Sequence, residues 1–141
     1  MEVLTGKLFG EALIACREVK GTKIGIACAT SMSASVMIES IWSELTNGRM
    51  PGWEMGRWVH GDRATLRKKV DGEYSTIDIF APHDVTDIRG MSYNKVLYEE
   101  YIDRRLLDEL IWCERIPVYE PVDEDSVNES LDEFLNSFKI V

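Results

Sequence analysis

The sequence predicts an α/β fold: a mainly parallel sheet flanked by helices, with one β-hairpin inserted. Three observations predict it. Residues 5–46 read as helix, strand, helix, the alternation that builds a parallel sheet. Asp71-Gly72 joins two strand-like runs, which is a strong hairpin signal. Residues 95–98 form a short apolar run that ends in Glu99 and Glu100. Such a run reads as a buried parallel strand with acids at its carboxyl end, where ligands of open α/β sheets gather.

Each element has a local reason. Thr5 is placed to cap a helix over 5–19, with Leu8, Ala12, Ala15 and Val19 on one face and Phe9, Leu13 and Cys16 beside them. Gly21 closes it. Residues 23–29 are an apolar run of strand length. Thr30-Ser31-Met32-Ser33 then offers caps for a helix over 32–46, whose Ala34, Met37, Ile38, Ile41 and Leu45 keep helical spacing. Asn47-Gly48 ends it, and residues 47–62 read as a Gly-rich connection. The hairpin takes residues 64–70 and 74–80, with Arg67, Lys68 and Lys69 as solvated edge-strand charges, and Pro82 stops it. After the acidic pair, residues 100–114 predict a helix striped by Ile102, Leu106, Leu110 and Cys113. A brief strand at 116–119 and an acidic helix at about 126–138 complete a single domain over 1–141.

Composition excludes some classes. Hydrophobic residues make up 45% and charged residues 29%, a globular balance that argues against disorder. No apolar run reaches the roughly 20 residues of a membrane span, and no secretory signal is visible, so the expected location is cytoplasmic. Cys16, Cys28 and Cys113 are widely spaced and suit small core positions in a reducing compartment. The net charge of −9 divides unevenly: residues 1–70 carry +3 and residues 71–141 carry −12. The acidic half disfavours nucleic acid and favours a basic partner.

Two groups of residues are candidates for function. Glu99 and Glu100 have the arrangement in which one acid holds Mg²⁺ and the next orients an attacking water. The same pair also suits the N-terminus of a surface helix. Arg49, Trp53, Arg57 and Trp58 place guanidinium and indole groups on a loop, where they could anchor a partner or stack bases. The usual burial of Trp favours the other reading, in which both tryptophans pack over the core edge.

Four segments, in order, resemble the ATPase core of viral DNA-packaging terminase large subunits, and more distantly helicase-type ATPases. Thr5-Gly6-Lys7-Leu8 before a helix is similar to the end of a P-loop. Residues 23–30 and their helix are similar to the second strand and helix of that core. The hairpin with Thr76 to Phe80 resembles the strand that precedes its Arg-Gly turn. Ile88-Arg89-Gly90 through Glu100 resembles the turn and acidic strand. The resemblance spans about residues 5–112 and implies a P-loop-NTPase-like sheet. It also implies ATP with Mg²⁺: Gly6 and Lys7 at the phosphates, Arg89 sensing the nucleotide, Glu99 at the metal and Glu100 at the water.

The departures point elsewhere. The first P-loop glycine falls on Met1, and Leu8 stands where a hydroxyl should hold Mg²⁺. No strand precedes the loop, and Glu99 replaces the metal-binding Asp. The expectation is therefore a non-catalytic, terminase-like viral accessory protein that binds another protein, host or viral, holds no cofactor and is able to oligomerise. An ATP-binding or ATP-hydrolysing motor subunit completed by another chain is the alternative.

Overall fold

The computed structural model describes residues 1–44, 52–57 and 63–115. The expected strand at 116–119, the helix at 126–138, the Asn47-Gly48 helix end, Arg49 and Trp58 lie outside the described residues. In chain order the described elements are β1 (Glu2–Val3), α1 (Gly6–Glu18), β2 (Lys23–Ala27), α2 (Ser31–Glu44), β3 (Trp53–Arg57), β4 (Arg63–Val70), β5 (Glu73–Phe80), β6 (Lys95–Tyr98) and α3 (Arg104–Leu110). Single 3-10 turns cover Val85–Asp87 and Ile111–Cys113.

The strands form one six-stranded sheet in the order β1-β6-β2-β5-β4-β3. Its β1-β6-β2-β5 half is parallel, and β4 and β3 add antiparallel. β2 sits at the centre of the parallel half because Ile24, Gly25, Ile26 and Ala27 are buried on both faces. Ile24 and Ile26 face α1 and α2, where they meet Phe9, Leu13, Cys16, Ile38 and Ile41. Ala27, with Phe80 and Val96 of the neighbouring strands, faces α3 and its flanking turns, where Ile88, Tyr93, Leu106 and Leu110 close the second core. This strict alternation of Cβ direction gives three layers.

Local signals held for most elements. The Thr5 hydroxyl accepts from the Leu8 amide at 3.2 Å, capping α1 as expected. Asp71 (φ 49°) and Gly72 (φ 86°) make the two-residue turn between β4 and β5. All three cysteines are buried and free.

Four expectations need correction. A strand does precede Gly6-Lys7: the two residues of β1 pair with Leu97 and Tyr98. It forms because β6 leaves an open edge, and the Leu4 amide (to Tyr98 O, 2.7 Å) and a Glu2–Lys95 ion pair fasten it there. Part of the Gly-rich connection is also a strand, β3, so β4 is interior and the insertion is a three-stranded meander. Arg67 remains a solvated charge, pairing with Glu54 across to β3 at 3.0 Å and lying over the Tyr74 ring. The helix expected from residue 100 starts at Arg104, because the Asp103 carboxylate caps it through the Arg105 amide at 2.8 Å. Glu99 and Glu100 thus lie in a strand-to-helix connection and do not open a helix. Trp53 takes the core position: at 8% exposure it packs with Leu66, Ile77 and the α1–α2 layer.

Candidate functional site at the carboxyl edge of the parallel strands

Register fixes where the candidate residues fall. Val3 pairs with Tyr98, Tyr98 with Ala27, and Ala27 with Phe80, so these four residues form one row across the parallel strands. Residues just beyond that row share the carboxyl edge of the sheet. From β1 come Gly6 and Lys7, from β6 come Glu99 and Glu100, from β2 come Thr30 and Ser31, and from β5 comes His83. The fold therefore brings Gly6 and Lys7 to the same edge as the acidic pair.

This edge is also where the chain changes sides. β2 exits towards α2 on one face, while β6 and β5 exit towards the other face. Such topological switch points open the crevices in which α/β sheets bind ligands. Two hydrogen bonds cross them here. Glu99 Oε1 accepts the Ala29 amide at 3.2 Å, tying β6 to the β2–α2 turn. Ser31 Oγ lies 3.0 Å from His83 Nε2, tying the start of α2 to the loop after β5. Burial, with Glu99 beside it, pushes the Cys28 thiol well above its usual range, so it is a neutral group under the edge.

The geometry at Gly6 and Lys7 is not a phosphate cradle. Only Leu4 and Thr5 separate β1 from α1. A P-loop needs several successive backbone amides curved around the anion. Here Leu4 is buried, and the Thr5 hydroxyl already occupies the Leu8 amide. Leu8 packs half-buried against the core and offers no hydroxyl. Glu100 is exposed, and Tyr101 (86% exposed) and Met32 (78%) flank the Glu99–Ala29 junction as large apolar side chains open to solvent.

Arg89 is not at this edge. It pairs with Glu109 of α3 at 3.2 Å. Its segment packs at the other end of β6, where Cys113 Sγ donates to Ile88 O and the Tyr93 amide to Cys113 O. Trp53 is buried, and Arg57 contributes backbone to β3. Arg49 and Trp58 lie outside the described residues. Of the expected partner-facing cluster, Trp53 is therefore withdrawn into the core.

Sequence reading missed a second polar cluster. Asp78, buried in β5, accepts from the Arg63 guanidinium at 2.9 Å, the Thr65 hydroxyl at 3.3 Å and the Tyr93 hydroxyl. The Tyr93 ring lies across Gly25 of β2, where an added Cβ would sit 2.8 Å from ring carbons. Burial, and then the Asp78 carboxylate, raise the Tyr93 hydroxyl well above its ordinary range, so it stays a donor. The Gly25 break in the Ile-Gly-Ile run is the one local sign of this contact, because glycine in a strand marks close approach.

No group of three or more His, Cys, Asp or Glu among the described residues is placed to hold a metal ion, and no helix among them is long and apolar enough to cross a membrane. Comparisons with protein-family models, curated proteins and solved structures find no match to this chain.

Proposed function

We propose that this chain is a terminase-like binding protein, non-catalytic towards nucleotides, that engages another protein, host or viral, through the carboxyl edge of its parallel strands. One observation carries the reading: β1 passes into α1 through two residues, leaving no loop of amides to enclose a phosphate. The same edge exposes Tyr101 and Met32 around Glu99 and Glu100. Large apolar side chains at an acidic crevice suit a partner carrying apolar and basic residues.

Two measurements test this together. Calorimetry with ATP or ADP and Mg²⁺ at millimolar ligand should give no binding heat. Tagged wild-type chain should retain a specific partner that a Met32→Ser/Tyr101→Ser variant of equal thermal stability loses. Equal retention by both proteins overturns the assignment of the surface.

A second reading has one observation in its favour: Gly6, Lys7, Glu99 and Glu100 share one edge. In that reading another chain completes the nucleotide site of a packaging or helicase-type motor. ATP hydrolysis that appears only with the partner present, and is lost in Glu100→Gln, would establish it and displace the first reading.

A further inference from the structure

The pair at the second switch point carries a chemistry that nucleotide binding does not use. Ser31 is the first residue of α2, and His83 follows β5, so the 3.0 Å contact between Oγ and Nε2 joins adjacent strand ends at the crevice. Both members are held from behind. The Thr30 amide donates to Ser33 Oγ at 3.1 Å, and the Ser33 amide donates to Thr30 Oγ1 at 3.0 Å, which fixes the turn carrying Ser31. The Asp87 carboxylate accepts the His83 and Asp84 amides at 2.9 and 3.1 Å, and Pro82 before them is buried, which fixes the loop carrying the imidazole. Hydroxyl and imidazole within hydrogen-bond reach, each on a braced segment, form the nucleophile–base pair of an activated nucleophile.

We propose that Ser31 is a nucleophile with His83 as its general base, and that the pair accepts an acyl group from a small neutral or cationic ester. With the ring proton on Nδ1, Nε2 takes the hydroxyl proton as Oγ bonds to the carbonyl carbon. The bond from that carbon to the alkoxy oxygen then breaks, and Nε2 returns the proton to the departing alcohol. Water, deprotonated at the same nitrogen, adds to the acyl-serine carbonyl; the bond from that carbon to Oγ then breaks, Nε2 returns the proton to Oγ, and the carboxylic acid is released. The Met32 amide, in the first turn of α2 at the positive end of the helix dipole, is the donor assigned to the developing oxyanion. Glu99, Glu100, Asp84 and Asp87 at the same edge disfavour an anionic substrate.

The test uses the full chain with p-nitrophenyl acetate and with a neutral fluorophosphonate, read by intact mass and peptide mapping. One adduct on Ser31 is expected, and Ser31→Ala should abolish it. His83→Ala should slow labelling by about a hundredfold, the contribution of a general base, and added imidazole should restore part of the rate. A merely structural contact would not respond to imidazole. Adducts spread over several hydroxyls, or equal labelling of His83→Ala and wild type at matched thermal stability, would overturn the proposal. It does not rest on the binding reading: a chain that labels but retains no partner keeps it, and the reverse result refutes it alone.

Discussion

Two acids beside β2 show how differently one sheet can use a carboxylate. Asp78 sits mid-strand in β5 with Gly25 of β2 as its register partner, and it is buried. Arg63, Thr65 and Tyr93 take three of its roughly four acceptor sites, so burial and these bonds commit it to the fold. Glu99 lies one residue beyond β6, half-buried, with one oxygen on the Ala29 amide. Its neighbour Glu100 is exposed. The difference is one of position along the strand. An acid within the sheet must be satisfied by the protein, whereas an acid past the strand end can remain open to a partner.

Mutations can break or sharpen this contrast. Asp78→Ala has the largest expected effect. It leaves the Arg63 guanidinium and the Tyr93 hydroxyl without their shared acceptor and should cost about 3 kcal/mol in urea unfolding, at the low end for a buried pair because Arg63 keeps some solvent contact. Gly25→Ala should cost about 2 kcal/mol, since the new methyl overlaps a ring that cannot leave without breaking its bond to Asp78. An unchanged midpoint in either variant would mean that the cluster is not a structural anchor.

Smaller effects belong to the acids outside the sheet interior. Glu114 accepts from the Val96 amide at 2.9 Å and from the terminal ammonium at 2.7 Å. Burial raises its pKa, but these contacts outweigh burial and hold it below the ordinary 4.5. Its stabilisation is therefore present above the unfolded value and is lost as pH falls through the lowered folded value. Glu114→Gln should cost about 1 kcal/mol at neutral pH and progressively less below pH 4.5. Glu100→Gln should change stability by less than about 0.5 kcal/mol, as surface substitutions do. A loss as large as that of Asp78→Ala would place Glu100 in the structure rather than at a binding edge.

Much of the fold was legible because its signals are local. The Thr5 cap, the Asp71-Gly72 turn, the 23–27 run and the buried stripe of Ile102, Leu106, Leu110 and Cys113 each lie within a few residues of the element they specify. β1 was not legible: two residues have no periodicity, and their strand state depends on the free edge of β6 far along the chain. β3 was hidden for a related reason, since Gly56 and the glycines around it mimic a loop and its pairing with β4 supplies the order.

Of the candidate site, the acidic pair stood out because adjacent acids after an apolar run form a pattern in one dimension. Ser31 and His83 did not, being 52 residues apart, and neither did Asp78 with Tyr93, 15 apart. Arg89 looked like part of the acidic motif by proximity in sequence, yet the descent from β5 to β6 carries it to Glu109 on α3.

The sequence alone therefore determined the α/β class, the first two helices with their Thr5 and Thr30 caps, the hairpin turn and the acidic strand end, because these follow from side-chain period and backbone preference over short spans. Tertiary structure alone decided the strand order, the short link between β1 and α1, the burial of Trp53 and the pairing of Ser31 with His83. Those outcomes depend on which strands share hydrogen bonds and in what register, and that free energy is spread over contacts between segments distant in the chain.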